Sequence, residues 1–271
     1  MNNKVLQTLE YDKIKLQLND FLSTPTGLQE ANELQPVSDV DLINHWLAET
    51  ADAVLIDRLK GGIPLSKLSD ITPHLKRLNI EASLSATELS EMSLVLRNTS
   101  TIASFFEQMQ DEAIGESLRV LPEQAKNLVT LPDITRQIQI AIDSSGRLND
   151  EASYELKHVR DRINGTEQAV KNQMQAYTRG KTAQYLSDPI VTIRSDRYVL
   201  PVKAEYRSQF GGVVHDQSQT GQTLYVEPQA VVTLNNKLSE LRVQEQAEEQ
   251  RVLQELSATL APHTEEIANN V

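Results

Sequence analysis

Residues 188–227 read DPIVTIRSDRYVLPVKAEYRSQFGGVVHDQSQTGQTLYVE, and this stretch decides the fold. Pro189–Arg194 and Tyr198–Val202 are β-branched and alternating, with Ser195-Asp196-Arg197 as a short turn between them, the pattern of a hairpin. Gly211–His215 and Thr223–Val226 form a second strand pair around Gln219-Thr220-Gly221-Gln222. Pro201 has no N–H to give to a ladder, so it implies an edge position or a break in its strand.

On both sides of this stretch the texture turns helical. Leu148, Ala152, Leu156, Val159, Ile163, Thr166, Val170, Met174 and Tyr177 recur at steps of three or four, with no proline from Asp133 to Asp188. The spacing predicts one helix of about 35 residues, about 50 Å long at 1.5 Å per residue. Gly165 in its middle costs about 1 kcal/mol relative to alanine. Beyond Pro228, Val231, Leu234, Leu238 and Leu241, then Val252, Leu256 and Leu260, mark a second long helix. Its stripe fades across Gln244–Gln250 (QEQAEEQ), which predicts a segment solvated on most sides. Helix out, small sheet, helix back is an antiparallel arm with a β tip.

The earlier residues read as a string of helices. Leu6, Leu9, Ile14, Leu16 and Phe21 give a loose stripe that stops at Ser23-Thr24-Pro25, where either hydroxyl can cap the next helix. Leu42, Trp46, Ala53, Ile56 and Leu59 mark another, closed by Gly61-Gly62 and Pro64, with Ser38 as cap and Asp39 and Asp41 suiting its dipole. Further patterns cover Leu84–Gln108 and Glu116–Leu128, with a shorter one after Pro132. The predicted fold is mainly α: a helical core over 1–145, an outgoing helix over 146–187, a β-rich tip over 188–228 and a returning helix over 229–271.

Composition supports this. A length of 271 residues suits one large or two modest domains. Aromatic content of 4%, with only 10 Gly and 10 Pro, argues against all-β folds and glycine-rich cofactor folds. No apolar run nears the length of about 18 residues that a membrane span needs, and the amino terminus lacks the features of a signal peptide. With no cysteine, disulfides, thiol catalysis and thiolate metal sites are excluded, which fits a cytoplasmic protein.

The net charge of −12 repels nucleic acid taken as a whole. Yet Lys171, Arg179, Lys181, Arg194, Arg197, Lys203 and Arg207 face only Asp188, Asp196 and Glu205 between residues 171 and 211, a surplus of +4. The other 19 basic and 35 acidic residues then carry −16. A basic island on an acidic protein is a candidate surface for phosphates, and these seven residues are the candidate nucleic-acid contacts.

Catalytic and metal motifs are lacking. His215-Asp216-Gln217-Ser218 places a base, a carboxylate and a hydroxyl together, but neighbours on a strand point to opposite faces. A turn held by Asp216 and Ser218 is the expectation there. His45, His74, His158, His215 and His263 are scattered without ligand spacing. Neither GxxxxGK[ST] nor GxGxxG occurs, so no local ATP or dinucleotide site is expected. Phe105-Phe106-Glu107 superficially resembles a mismatch wedge but lies inside a helical pattern, as core aromatics do.

The run DPIVTIRSDRYVLPVKAEYRSQFGGVVHDQSQTGQTLYVEPQAVVTLNNKLSELRVQEQAEEQRVLQEL, Asp188–Leu256, resembles the type two branch of the MutS family. RYVLPVKAEYR, GVVHDQSQTGQTLYVEP and LNNKL carry the resemblance; LEYDKIKLQL and DSSGRLNDEASYELKHVR extend it more weakly toward the amino terminus. The resemblance implies a helical core and lever with an inserted clamp, followed in such proteins by an ATPase domain and a nuclease-type Smr domain. It implies ATP and Mg as cofactors of the complete protein, and homodimerisation. It also implies branched or duplex DNA and the ribosome as partners, in suppression of recombination or rescue of stalled ribosomes. The chain ends before any Walker motif, so an amino-terminal portion with no turnover of its own, monomeric or weakly dimeric, is expected. The competing expectations are a stand-alone helical scaffold that binds proteins, and an enzyme using His215 and Asp216.

Overall fold

A computed structural model of the protein describes residues 3–22, 24–110 and 115–270. The helices are α1 (Asn3–Thr8), α2 (Tyr11–Asn19), α3 (Pro25–Glu33), α4 (Val40–Lys60), α5 (Thr72–Leu78), α6 (Ala86–Gln110), α7 (Leu121–Ala125), α8 (Pro132–Ala141), α9 (Tyr154–Arg179), α10 (Arg207–Phe210), α11 (Val232–Leu260) and α12 (Thr264–Asn269). The strands are β1 (Thr192–Arg194), β2 (Arg197–Lys203), β3 (Val213–Gln217) and β4 (Thr223–Glu227). The fold is mainly α with one small antiparallel sheet. The chain divides into two compact units, Met1–Asn149 with Leu253–Val271, and Asp150–Val252.

The first unit departs from its sequence pattern at several points. The opening stripe is two helices, not one, because Glu10 takes a left-handed conformation (φ 55°) between α1 and α2. Leu6 is buried, while Leu9, Ile14, Leu16 and Phe21 are exposed. Thr24 caps α3 by accepting from Gly27 N at 3.1 Å; Ser23, the other candidate, lies outside the described residues. The cap of α4 is Asp39, not Ser38. Its carboxylate accepts from Asp41 N and Leu42 N at 3.0 and 3.1 Å, and a charged acceptor there also suits the helix dipole. Gly61, at φ 80°, ends the helix. The Glu116–Leu128 pattern resolves into a 3-10 turn at Gly115–Ser117 and the single short helix α7. Phe105 and Phe106 lie in α6, edge to face at 5.5 Å, and Phe106 joins a core with Ile56, Met109 and Leu118.

Asp52 on α4 is 3% exposed. Its carboxylate accepts from the backbone N–H groups of Arg119, Val120 and Leu121 at 2.7–3.1 Å, tying α4 to the start of α7. Those donors have no partner inside α7. Asp52→Ala is therefore expected to destabilise this unit by about 2 kcal/mol, the cost of leaving buried donors unpaired. A urea midpoint unchanged from the unsubstituted chain would contradict this.

In the second unit, α9 has 26 residues against the predicted run of about 35. The pattern started too early because Leu148, apolar and correctly spaced, pairs with Ile142 across a tight turn. Asp143 holds that turn by accepting from Ser145 N and Arg147 N at 2.8 and 3.0 Å. Ser153 then caps α9 through Leu156 N at 2.9 Å.

The sheet order is β1-β2-β4-β3, all neighbours antiparallel. Ser195 and Asp196 turn the first hairpin with φ of 49° and 59°, the sign that suits the twist of a two-residue hairpin. β2 lies inside the sheet, so Pro201 is not in an edge strand. β1 stops at the Thr192↔Val199 pair, however, and beyond it the flank of β2 meets Leu186 and Ser187 instead. Ser187 N donates to Pro201 O at 2.9 Å. In a strand a residue's nitrogen and carbonyl face the same side, so the proline nitrogen faces this flank and the ladder to β4 loses nothing.

One core joins Val159, Ile163, Val170 and Met174 of α9, Leu200 and Val202 of β2, Val226 of β4, and Leu238 and Leu241 of α11. Past Leu241 the seam between α9 and α11 becomes ionic. Arg160 donates to Glu245 at 2.9 Å, Glu249 at 2.7 Å and Asp150 at 2.8 Å; Ser153 donates to Glu248 at 2.7 Å, and Arg242 to Glu167 at 3.2 Å. Burial disfavours the Arg160 charge, but the three carboxylates outweigh it and raise the guanidinium's affinity for its proton. QEQAEEQ is solvated on most sides as expected, with Gln244, Gln246, Ala247 and Gln250 exposed, but its remaining face carries a charged seam in place of the apolar one, which hydropathy cannot register. Partners on α11 fall in number as those on α9 rise, so the two helices run antiparallel.

Candidate nucleic-acid interface

The seven cations of the basic island all lie in the second unit, but in two different situations. Four are held by the protein itself. Arg194 lies 4.1 Å over the ring of Tyr225 and 3.2 Å from Asp216. Arg197 donates to Glu227 at 2.9 Å and Asn236 at 2.7 Å. Lys203 donates to Gln184 O at 3.1 Å, and Arg207 to Gly212 O at 2.7 Å. Lys171, Arg179 and Lys181, on α9 and just past its end, are exposed and form no ion pair among the described residues.

A densely connected group of this unit is Glu227, which sequence reasoning did not single out. Its side chain is 1% exposed at the end of β4. One carboxylate oxygen accepts from Arg197 at 2.9 Å and from Asn235 of α11 at 2.7 Å; the other accepts from His215 at 2.6 Å. Asn235 also donates to Tyr198 O at 3.1 Å, so three strands and a helix meet at one carboxylate. Burial pushes the Glu227 carboxyl up, but the hydrogen bonds from Asn235, His215 and Arg197 outweigh it and hold the group below its ordinary value.

His215 reaches Glu227 because it is the extra residue of a β-bulge: Val214 pairs with Val226 and Asp216 with Tyr225, leaving His215 between them. A bulge re-aims its side chain. Asp216 lies against Arg194 instead, so His215 and Asp216 do not converge on a reacting atom. Ser218 anchors the turn expected here, accepting from Thr223 N at 3.1 Å, while Asp216, within β3, accepts from the neighbouring Gln217 N at 2.8 Å. The signal that could have drawn attention to this node is an acid closing the apolar strand TLYVE, with Asn235-Asn236 eight and nine residues on.

ATP and Mg find no fit in these residues. The chain has no phosphate-cradling loop, and among the described residues no three His, Cys, Asp or Glu side chains gather to hold a metal. No helix among them is long and apolar enough to cross a membrane.

No protein-family model matches the chain. Individual relatives match it from end to end. It is 77% identical over 271 residues to Endonuclease MutS2 of Leuconostoc mesenteroides subsp. mesenteroides. It is 52% identical over 270 residues to the protein of the same name from Lactiplantibacillus plantarum, and 45% over 271 residues to that from Enterococcus faecalis. The chain belongs to the type two branch of the MutS family. It spans about a third of the length of these curated relatives, 34% in each case, while they cover all of it. The long helices and the small antiparallel sheet bear out the expected mainly α fold with a small β-rich portion.

Proposed function

We propose that this chain is the core, lever and clamp region of an ATP-driven, dimeric type two MutS protein, and that its second unit grips nucleic acid. The ATPase, and any nuclease, would then lie in the two thirds of the relatives that the chain does not span. The reading rests chiefly on one observation. On a protein of net charge −12, the exposed Lys171, Arg179 and Lys181 sit together with the four held cations in one unit. Phosphate contacts of this kind position a protein on a polymer without reading its sequence. They suit branched DNA in suppression of recombination and rRNA in rescue of stalled ribosomes.

The test is charge reversal at the three exposed residues, Lys171→Glu, Arg179→Glu and Lys181→Glu. Reversing Arg197 as well would confuse the result, because it would leave Glu227 buried without its cation. The triple variant should bind nucleic acid more weakly with the core folded, since exposed cations contribute little to stability. The slope of log affinity against log salt should fall by about one unit for each phosphate left unneutralised. Unchanged affinity and slope for the complete protein would overturn the reading. Parallel titrations with branched DNA and with collided ribosomes separate the two targets.

A second reading, a scaffold that binds proteins, is favoured by Leu16, Phe21 and Leu47 of the first unit, all more than half exposed. Binding of a protein partner by a chain indifferent to nucleic acid would support it.

A further inference from the structure

Two short segments of the second unit, residues 177–185 and 203–210, bring four aromatic rings into two pairs. Tyr177 and Phe210 have ring centroids 5.6 Å apart, and Tyr185 and Tyr206 lie 4.9 Å apart. The ammonium of Lys203 sits 5.9 Å from the Tyr206 ring centre while it donates to Gln184 O, which fastens one segment to the other. The whole chain has four Phe, one Trp and seven Tyr, so this is a concentration of rings in a protein poor in them.

The same segments carry Arg179, Lys181, Lys203 and Arg207 against the single acid Glu205. Each ring is partly exposed, and Tyr177, Tyr206 and Phe210 line the rim of the core. Elsewhere that rim is finished with aliphatic Val191, Leu224 and Leu234, so packing alone does not call for rings. Among the described residues none of the three phenol hydroxyls makes a hydrogen bond within the protein, which leaves them to solvent or a ligand.

We propose that this corner binds unpaired nucleotides, the rings stacking on bases while the cations hold the phosphates. Aromatic faces between cations are the arrangement that favours single strands over duplex, whose bases are already stacked on each other. The inference rests on the reading of the second unit as a nucleic-acid grip and narrows it: the preferred substrate is a junction, gap or loop where bases are free.

The test uses the 271-residue chain with fluorescent oligothymidylate, oligouridylate and a duplex of equal length. Tighter binding to either single strand than to the duplex is expected. The double variant Tyr185→Leu, Tyr206→Leu keeps apolar bulk and removes two π faces; it should lose about tenfold or more in single-strand affinity and less than about twofold for duplex. Tyr206→Phe, which keeps the ring, should bind like the unsubstituted chain. Equal losses for single strand and duplex, or no loss in a folded double variant, overturn the inference. Should circular dichroism show the double variant unfolded, the unsubstituted chain decides. An oligothymidylate with a central 2-aminopurine should be quenched on binding, and bound oligonucleotide without quenching overturns the stacking. Binding to duplex with no single-strand preference rejects this inference alone; binding to neither, in the complete protein as well, rejects the grip itself.

Discussion

Replacing Glu227 with alanine is expected to cost the second unit about 3–5 kcal/mol, the range for removing one partner of a buried charge pair. The loss exceeds that of any one bond because Arg197, His215 and Asn235 are stranded together. Glu227→Gln should cost less, since it keeps the volume and one acceptor oxygen. Protection of the β2 and β4 amides from hydrogen exchange is the local readout, and a change under about 1 kcal/mol would refute the account. The acid dependence has a definite sign. Because the folded-state value of Glu227 lies below its ordinary 4.5, the unfolded chain takes up the proton first as pH falls. The stability it contributes is complete above that ordinary value and is lost as pH drops through the folded one. The stability curve of Glu227→Gln should be flatter across that window.

Gly212→Ala is expected to be nearly as costly, about 4 kcal/mol, because two penalties of about 1–3 kcal/mol each coincide. The residue has φ of 88°, a conformation that strains any residue with a Cβ, and the added carbon would lie 2.1 Å from the backbone oxygen of Glu227. That oxygen belongs to the strand end and cannot swing aside as a side chain would. Gly211 supplies the control. Its φ of 72° carries the same strain, but nothing lies within 4 Å of its would-be Cβ. Gly211→Ala should therefore cost only the backbone strain, about 1–3 kcal/mol. Equal losses of urea stability for the two variants would show that the close approach to Glu227 contributes nothing.

What the amino-acid order disclosed, and what it hid, follows from range. Hydrophobic steps of three and four located α9 and α11, and β-branched runs on either side of turn residues located the four strands, because both signals are local. The start of α9 was misplaced where a local signal is ambiguous: Leu148 fits a helical stripe equally well whether it heads a helix or closes a turn. The basic island was visible as a sum of charges. Its division into four held and three exposed cations was not, since Arg197 meets Glu227 thirty residues away and Arg194 meets Tyr225 across the sheet. His215 drew notice beside Asp216 for the wrong reason. A one-residue bulge, which no pattern announces, turns it toward Glu227.

The seam between α9 and α11 has a consequence for slippage. Leucines and valines interlock by volume, and a greasy interface can slide by a helical turn, about 5.4 Å, and find new partners of much the same quality. Arg160 permits no such vernier. Its guanidinium bridges Glu245 and Glu249, one turn apart on α11, and a slide of one turn would set Leu241 or Leu253 in place of one of these carboxylates. Slippage of one helix along the other therefore costs an ion pair, a penalty that a purely apolar seam would not impose.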